Sequence, residues 1–335
     1  MKRRHFLELL AIAGVTGIGS GFALPHVFAT GLSRTGLVYD DLFLKHILYE
    51  DHPESPDRLV YLMQAFNAAG LKNILEQIPP YTDAGKQINL VHTSEHINKI
   101  RESYPTSFPV AVAVVGGVLA ATDAVCRGEM RNVFCATRPP GHHALNTGRE
   151  EGFCFFNSVA IAARYAKKQY KLRKILIVDW DYHHGNGTEA VFYDDPEVLF
   201  FSTHDLYAYP GTGSPDKTGE GAGMGFNINV PLDCGSGDAE IITAFREKLF
   251  PRVHEFKPEL VIISAGFDSR KNDLLGCFRV TDQGFVRLTR LVMDIAGQYA
   301  GGKLISVLEG GYNLRGNASA ASHHVQTLLE YTGNA

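Results

Sequence analysis

A single α/β domain with a mostly parallel central β-sheet is the fold class that the sequence predicts. Five short apolar segments have the length and composition of buried strands: residues 132–136, 174–179, 198–202, 260–264 and 303–308. Four longer stretches have helical patterns: residues 110–127, 156–169, 238–256 and 281–299. Strands that alternate with helices of this length form right-handed βαβ units, and such units place neighbouring strands parallel to one another.

Composition agrees with one large domain and argues against one class of partner. The chain has 335 residues, of which 45% are hydrophobic and 20% are charged, and this is enough for a large core. A net charge of -4 provides no basic surface for phosphates, so we expect no nucleic acid partner. The five cysteines form no CxxC pair, and their odd number and apolar surroundings predict buried free thiols rather than a disulfide framework.

The amino terminus has the features of an export signal. Residues 1–6 read MKRRHF, residues 7–24 are apolar, and small residues precede a cleavage position after Ala29. The RRHFL sequence also resembles a twin-arginine signal. We therefore expect a leader over residues 1–29, an exported or periplasmic domain over residues 30–335, and no stable membrane span after processing. The alternatives are an amphipathic helix packed on a cytoplasmic domain and an uncleaved anchor.

Polar motifs follow all five predicted strands. In chain order they read RPPGHHA, DWDYHHGNGT, STHD, AGFD and EGGY. Parallel strands end at one edge of their sheet, and ligands of α/β sheets bind outside that edge. The motifs therefore predict one shared site at the carboxyl ends of the strands.

Asp181, His183 and Asp268 are the predicted metal ligands of this site. Asp181 and His183 are two residues apart at a strand end, which places both side chains on the same side. Asp268 ends another strand at the same edge. One imidazole and two carboxylates leave coordination open for water and substrate, as in catalytic zinc sites, and the oxygen-rich set also suits Fe(II). An isolated Asp-x-His pair is more often a capped turn, but the third carboxylate favours a metal site.

The histidine pair His142 and His143 supplies a predicted general base and general acid. The metal set is complete without these residues, which leaves both imidazoles free to act on water. Asp179 is expected to accept a hydrogen bond from one imidazole and raise its basicity. Asn186 is expected to orient the other imidazole without adding charge, which keeps the pKa of that group lower.

Tyr312 follows two glycines in EGGY, and its hydroxyl can donate to a developing oxyanion.

The metal ligands, the histidine pair and Tyr312 together predict metal-assisted amide hydrolysis. The metal and Tyr312 polarise the carbonyl, the histidines activate a water, and one imidazolium protonates the leaving amine.

These motifs resemble the histone deacetylase superfamily, which includes bacterial histone deacetylase-like amidohydrolases and acetylpolyamine amidohydrolases. The resemblance covers roughly residues 34–330, begins with HPESPDR at residues 52–58, and includes GFCFFN and YPGTG, all in family order. It implies the three-layer arginase/deacetylase fold in a single domain. Asn186, where some members have Asp, and the GFCFFN and GNGT sequences favour the class II-like branch.

The resemblance also implies cofactors and contacts. Zinc is the implied metal, with Fe(II) as the alternative, and structural potassium ions are implied beside it. The residues matched to a first potassium site are Asp179, Asp181, His183, Ser202 and Thr203. The residues matched to a second potassium site are Phe192, Asp195, Val198 and Phe226. The residues matched to the acyl-lysine tunnel and its rim are Gly152, Phe153, Tyr209 and Leu275.

Two segments depart from the family pattern at the expected rim. Residues 101–108 read RESYPTSF, a short loop without the Asp that grips the substrate backbone in relatives. After Asp268 the chain reads SRKNDLL, which places Arg270 and Lys271 near the rim. These cations suit a neutral or acidic substrate better than a polyamine.

The expected function is therefore a zinc-dependent deacetylase that acts on acetyl-lysine-like substrates or small acetylated amines through metal-activated water. One alternative is an acetylpolyamine amidohydrolase-type enzyme, and another is an acyl-ligand binding protein with negligible turnover. A ureohydrolase of the arginase type is a third alternative. It would need a two-metal carboxylate cluster, and the histidine pair with Tyr312 argues against it.

Overall fold

The structure, a computed structural model, describes residues 34–331, so the predicted leader lies outside the described residues. The strands in this range are β1 (Thr35–Val38), β2 (Glu76–Gln77), β3 (Asn132–Cys135), β4 (Ile175–Asp179), β5 (Val198–His204), β6 (Asn227–Pro231), β7 (Leu260–Ala265) and β8 (Leu304–Leu308). The α-helices are α1 (Asp57–Ala68), α2 (Ser94–Ser103), α3 (Phe108–Cys126), α4 (Ser158–Tyr170), α5 (Asn186–Phe192), α6 (Asp238–Ala244), α7 (Phe250–Phe256), α8 (Asp282–Tyr299) and α9 (Leu314–Glu330). Short 3-10 helices cover Asp41–Lys45, Leu71–Asn73, Gly85–Leu90 and Gly221–Gly223.

All eight strands belong to one sheet, in the order β2-β1-β3-β8-β7-β4-β5-β6, and every pair is parallel. The central strands are apolar and fully buried, because helices cover both faces of a parallel sheet. The predicted α/β class and parallel sheet are confirmed. The five predicted strands are β3, β4, β5, β7 and β8. They occupy five adjacent positions in the sheet, in the order β3-β8-β7-β4-β5. The motifs that follow them therefore lie side by side.

Helix α3 shows why a core helix can be apolar on every side. It is long and apolar enough to cross a membrane by length and composition, but 78% of its most apolar window is buried inside the fold. It packs on α4 and on β3, so its residues meet other apolar side chains around most of the circumference.

The helix predicted over residues 238–256 is interrupted by a π-helical turn. Helix α6 continues through Phe245–Leu249, which has π geometry, into α7. Pro251 lies in the first turn of α7 and has no backbone N–H to donate. The wider π-helical turn therefore comes just before the position at which the helix lacks a backbone donor.

The expectation that all the cysteines are free thiols is wrong for two of them. Cys234 and Cys277 form a disulfide, with their Cα atoms 5.3 Å apart. They lie in the loops that follow β6 and β7, and their separation of 43 positions hides this proximity in the sequence. The other three, Cys126, Cys135 and Cys154, are free as predicted.

Candidate active site

The predicted metal ligands converge where the neighbouring strands β4 and β7 end. One ligand atom from each of Asp181, His183 and Asp268 lies within 4.8 Å of the others. His183 Nδ1 is 3.2 Å from Asp181 Oδ1 and 3.0 Å from Asp268 Oδ2. Both carboxylates are fully buried, and His183 is partly exposed. The cluster has the residue types and the spacing of a site for a divalent cation.

Charge at this cluster also fits a cation. Burial and the neighbouring Asp181 carboxylate raise the pKa of Asp268 to about 7. Burial opposes the charge of His183 too, but hydrogen bonds to both carboxylates outweigh it and raise the pKa of His183 to about 10. Two buried carboxylates this close together need positive charge between them, and a divalent ion with one nitrogen and two oxygen ligands supplies it.

Backbone N–H groups orient the two carboxylates. Gly310 N donates to Asp181 Oδ2 at 2.8 Å, and Tyr182 N donates to Asp268 Oδ1 at 2.8 Å. Gly310 also lies so close that a Cβ there would be 2.1 Å from Asp268 Oδ2. The loop after β8 therefore closes against the ligand set from the neighbouring strand.

The histidine pair lies beside this cluster, with the ring centroids of His142 and His143 4.0 Å apart. His142 Nδ1 donates to Asp179 Oδ2 at 3.0 Å, and His143 Nδ1 lies 2.8 Å from Asn186 Oδ1. His142 Nε2 is 3.8 Å from Asp181 Oδ1, which places this imidazole next to the predicted metal ligands. The two partners that the sequence predicts, Asp179 and Asn186, thus each hold one imidazole, and the structure assigns Asp179 to His142 and Asn186 to His143.

The two imidazoles have opposite pKa shifts. Burial opposes the charge of His142, but the carboxylates of Asp181 and Asp179 outweigh it and raise the pKa of His142 well above its usual value. Burial and the charge of His142 lower the pKa of His143 well below its usual value. One imidazole is therefore charged and the other neutral at neutral pH, as an acid–base pair requires.

Glu309 supports the loop that carries His142 and His143, a role that the sequence did not predict. Its Oε2 accepts hydrogen bonds from the backbone N–H groups of Gly141, at 2.6 Å, and His142, at 3.2 Å. Its other oxygen accepts from the Ser264 hydroxyl at 3.3 Å. The EGGY motif contained the signal, because a Glu at the end of a buried strand needs buried donors.

A buried ionic network lies on the other side of the EGGY loop. Arg58 donates through Nε to Gly311 O at 2.7 Å and through Nη2 to Glu309 O, and its guanidinium lies 5.0 Å from the Tyr312 ring centroid. Glu54 pairs with Arg58 at 3.1 Å and with Arg138 at 2.8 Å. These residues lie in or near the HPESPDR and RPPGHHA motifs, and the sequence did not show that they meet.

Tyr312 itself is buried beside Phe153, with the ring centroids 5.9 Å apart. Burial raises the pKa of Tyr312 well above its usual value. The phenol therefore keeps its proton at neutral pH and can donate a hydrogen bond.

Two of the predicted substrate residues, Gly152 and Tyr209, lie against His143. Gly152 has φ +52°, and a Cβ on it would be 2.4 Å from His143 Cδ2 and 2.7 Å from Tyr209 Cε1. The Tyr209 ring lies edge-on to His143, 4.9 Å between centroids. Phe153 follows Gly152 and also has a positive φ. Leu275 is 38% exposed on the loop after Asp268.

The expectation for Arg270 at the rim is wrong. Its guanidinium donates to both carboxylate oxygens of Asp282, at 2.6 and 3.1 Å, and the side chain is largely buried. The partner lies at the start of α8, so an ion pair inside the fold neutralises this cation. Lys271 is exposed.

The residues matched to potassium sites lie in two places. At the first, Ser202 Oγ is 2.9 Å from His204 Nδ1, and the buried Thr203 hydroxyl has no hydrogen-bond partner within residues 34–331. At the second, the Asp195 carboxylate pairs with Arg164 and Lys167 at 2.8 and 2.6 Å, so only its backbone carbonyl is a candidate ligand. Both potassium sites stay predictions. The residues matched to the second are Phe192, Asp195, Val198 and Phe226.

His184, the second imidazole of DWDYHHGNGT, is a buried structural residue. Its Nδ1 lies 2.7 Å from Thr212 Oγ1, and its Nε2 lies 3.1 Å from Asn229 Oδ1. Both ring nitrogens thus have partners away from the metal cluster.

Comparisons with known proteins agree with this geometry. A family model described as the histone deacetylase domain matches residues 52–328. A probable deacetylase of Archaeoglobus fulgidus is 37% identical over 84% of this chain and 82% of its own length. Histone deacetylase 5 of Arabidopsis thaliana is 38% identical over 89% of this chain, and polyamine deacetylase HDAC10 of Homo sapiens is 36% identical over 88%.

The chain spans about half the length of two of these relatives, 49% of the Arabidopsis protein and 48% of the human one. Among solved structures, the HDA15 HD domain superposes with a TM-score of 0.83 and 35% identity, over 90% of this chain and 89% of that one. The fold is therefore the single-domain arginase/deacetylase fold, and the chain belongs to the histone deacetylase superfamily.

Proposed function

We propose that this chain is a metal-dependent deacetylase that hydrolyses the amide of an acyl-lysine-like substrate or a small acetylated amine. The observation that carries the proposal is the meeting of three groups of side chains at one edge of the sheet. These are a buried cluster of candidate cation ligands, two imidazoles with opposite pKa shifts, and a protonated buried phenol. Each group supplies one requirement of amide hydrolysis.

Asp181, His183 and Asp268 would hold the metal, with zinc as the first choice and Fe(II) as the alternative. A divalent cation held there supplies Lewis-acid polarisation of the substrate carbonyl and of the attacking water.

His143 is the proposed general base. Asn186 Oδ1 can only accept a hydrogen bond, so His143 Nδ1 carries the proton and Nε2 keeps a free lone pair. With its pKa lowered, His143 is neutral and can take a proton from the attacking water. His142, charged and held by Asp179, stabilises negative charge beside it. An imidazolium of this pair then protonates the leaving amine.

Tyr312 is the proposed hydrogen-bond donor to the oxygen of the scissile carbonyl. Its raised pKa keeps the phenol protonated, and the site around it is buried, which strengthens a hydrogen bond to developing charge.

The rim supports acyl-lysine-like or neutral substrates over polycations. Exposed apolar or aromatic side chains there include Tyr209 and Leu275, at 45% and 38% exposure, which suit the apolar part of an acyl-lysine-like substrate. The ion pair of Arg270 with Asp282 removes one positive charge that would have opposed a polyamine. The relatives bear both names, histone deacetylase and polyamine deacetylase, so a substrate panel must include acetylated polyamines.

Export and potassium binding are further parts of the proposal. The twin-arginine-like leader over residues 1–29 supports an exported or periplasmic enzyme, and the Cys234–Cys277 disulfide is consistent with an oxidising compartment. Ser202 lies opposite Asp179 in the register of β4 and β5, and the hydroxyl of the next residue, Thr203, is buried with no hydrogen-bond partner among the described residues. These observations support a structural potassium ion near the metal cluster.

The test is release of acetate from three substrates: a fluorogenic acetyl-lysine amide, an acetyl-lysine peptide and an acetylated polyamine. The purified chain is assayed after chelation and after reloading with Zn²⁺ or Fe²⁺. We expect release that chelation abolishes and reloading restores. Absence of metal-dependent release from every substrate would refute the proposal, and tight binding of the acylated ligand without release would identify a binding protein.

Metal content separates the roles of the side chains. Asp181→Ala and Asp268→Ala should lose both metal and activity, because each removes one of three ligands. His143→Ala should retain metal, measured by atomic emission, and lose most turnover. Loss of metal in His143→Ala would contradict its assignment as a base.

A further inference from the structure

Asp273 makes contacts that join two loops of the candidate active site. Its Oδ2 accepts hydrogen bonds from the backbone N–H groups of Tyr312, at 2.7 Å, and Asn313, at 3.0 Å. Its Oδ1 accepts from the backbone N–H of Leu275 at 2.9 Å. One carboxylate thus holds the residue that carries the proposed oxyanion donor and a residue of the substrate rim.

The backbone before Tyr312 explains why an anchor is needed. Gly310 and Gly311 precede it, and Gly311 has φ +121°, a conformation in which glycine loses much freedom on ordering. Arg58 fixes the Gly311 carbonyl from one side. The Asp273 carboxylate fixes the next two N–H groups from the other side, just before α9 begins.

We propose that Asp273 is a positioning residue, which sets the location of the Tyr312 phenol and, through its second oxygen, the location of Leu275 at the rim. The inference rests on the proposed deacetylase function and adds that one side chain links the substrate rim to the oxyanion donor. It predicts separable effects, because the two oxygens serve different loops.

The first test is a double-mutant cycle on the metal-loaded chain. Asp273→Ala is expected to lower kcat about 100-fold, the size of effect that a displacement of about 1 Å produces. In the Tyr312→Phe background the same substitution should lower kcat less than about threefold, since the phenol it positions is gone. An equal loss in both backgrounds would show that Asp273 does not act through Tyr312.

Asp273→Asn separates the two contacts and keeps the size of the side chain. Its single carbonyl oxygen is expected to face the two N–H groups of Tyr312 and Asn313, which leaves its NH₂ group against the Leu275 N–H. We therefore expect kcat within about threefold of the wild type and a raised KM. A loss of kcat as large as in Asp273→Ala would overturn the positioning role. Asp83→Ala, at an exposed Asp in another loop, is the matched control.

A readout without turnover distinguishes this inference from the proposed function. Amide-resolved hydrogen exchange of Asp273→Ala should be faster at Tyr312, Asn313 and Leu275, and unchanged at Gly310, whose N–H is bonded to Asp181. If exchange is unchanged at all four amides, Asp273 does not hold the two loops, and the positioning role is refuted whether or not the chain is active. If the wild-type chain releases no acetate but Asp273→Ala alters exchange as expected, only the deacetylase function is refuted.

Discussion

Two adjacent histidines differ in the charge of the groups that hold them. Asp179 gives His142 a carboxylate partner, and Asn186 gives His143 a neutral amide. Since a carboxylate stabilises an imidazolium and an amide does not, this one difference separates an acid from a base within a single motif. The sequence indicated one charged and one neutral partner, because Asp179 and Asn186 lie at or after the end of the next predicted strand along the chain, but it did not assign each partner to a particular histidine.

Exchanging the neutral partner for a charged one tests this difference. Asn186→Asp adds a carboxylate beside His143, which should raise the pKa of that imidazole and keep it protonated to higher pH. The acidic limb of the pH profile of kcat/KM should then move to higher pH, with lower activity at pH 7. Asn186→Ala, which removes the hydrogen bond without adding charge, is the control. If the acidic limb of the kcat/KM profile does not move in Asn186→Asp, His143 is not the base.

Tyr312→Phe removes one hydroxyl from a buried ring. We expect kcat to fall by about 10²–10³, as for removal of a single oxyanion donor. KM and metal content should change little, since the phenol is proposed to act on developing charge. Steady-state kinetics with a metal assay measures this, and a fully active variant would contradict the oxyanion role.

At the scale of elements, local sequence patterns predicted the bounds of five strands but not the order of the strands in the sheet. The apolar runs of β3, β4, β5, β7 and β8 identified these strands within one to two residues. The strands β1, β2 and β6 were not predicted, because TGLV, EQ and NINVP are short or polar.

Contacts between distant segments account for the site residues that were missed. Arg58 meets Glu309 and Gly311 across more than 250 residues of chain, and Asp273 meets Tyr312 across 39. No local spacing encodes such pairs. They follow from the sheet order, which puts the segments after β1, β3, β8, β7 and β4 next to one another.

The loop that carries Gly152 offers a test at this scale. Gly152→Ala places a methyl group against His143 and Tyr209 and also meets the cost of a positive φ, about 1–2 kcal/mol. We expect a loss of kcat/KM of about 10²-fold, because the methyl displaces the proposed base. The matched control is Gly70→Ala, with φ +72° and open space around the position, which should lower stability alone. Equal kcat/KM in the two variants would contradict the close approach.

For the whole molecule, buried neutral histidines link folding stability to pH. His324, on α9, is packed against Trp180 and hydrogen-bonded to Thr289 and Ser306, at 2.7 and 2.8 Å, so it joins α8, β8 and α9. Burial lowers its pKa from 6.5 to about 3. His92 and His204 are also buried, and their pKa values are lowered to about 3 as well, first of all by burial.

The sign of the effect follows from proton uptake on unfolding. Below pH 6.5 the unfolded chain protonates His324 and the folded chain does not, so stability is complete above that pH and falls as the pH decreases toward 3. Between pH 7 and pH 5 this one group accounts for about 2 kcal/mol of lost stability.

His324→Gln removes the titrating group and keeps a side chain that can hydrogen-bond. The free energy of unfolding, measured in urea at pH 7 and pH 5, should therefore fall about 2 kcal/mol less between the two pH values than in the wild type. His254→Gln, at an exposed histidine, is the control and should keep the wild-type difference. An unchanged difference in His324→Gln would mean that His324 is not a neutral, buried contact in the folded chain. The junction of α8, β8 and α9 would then have to admit water or a charge.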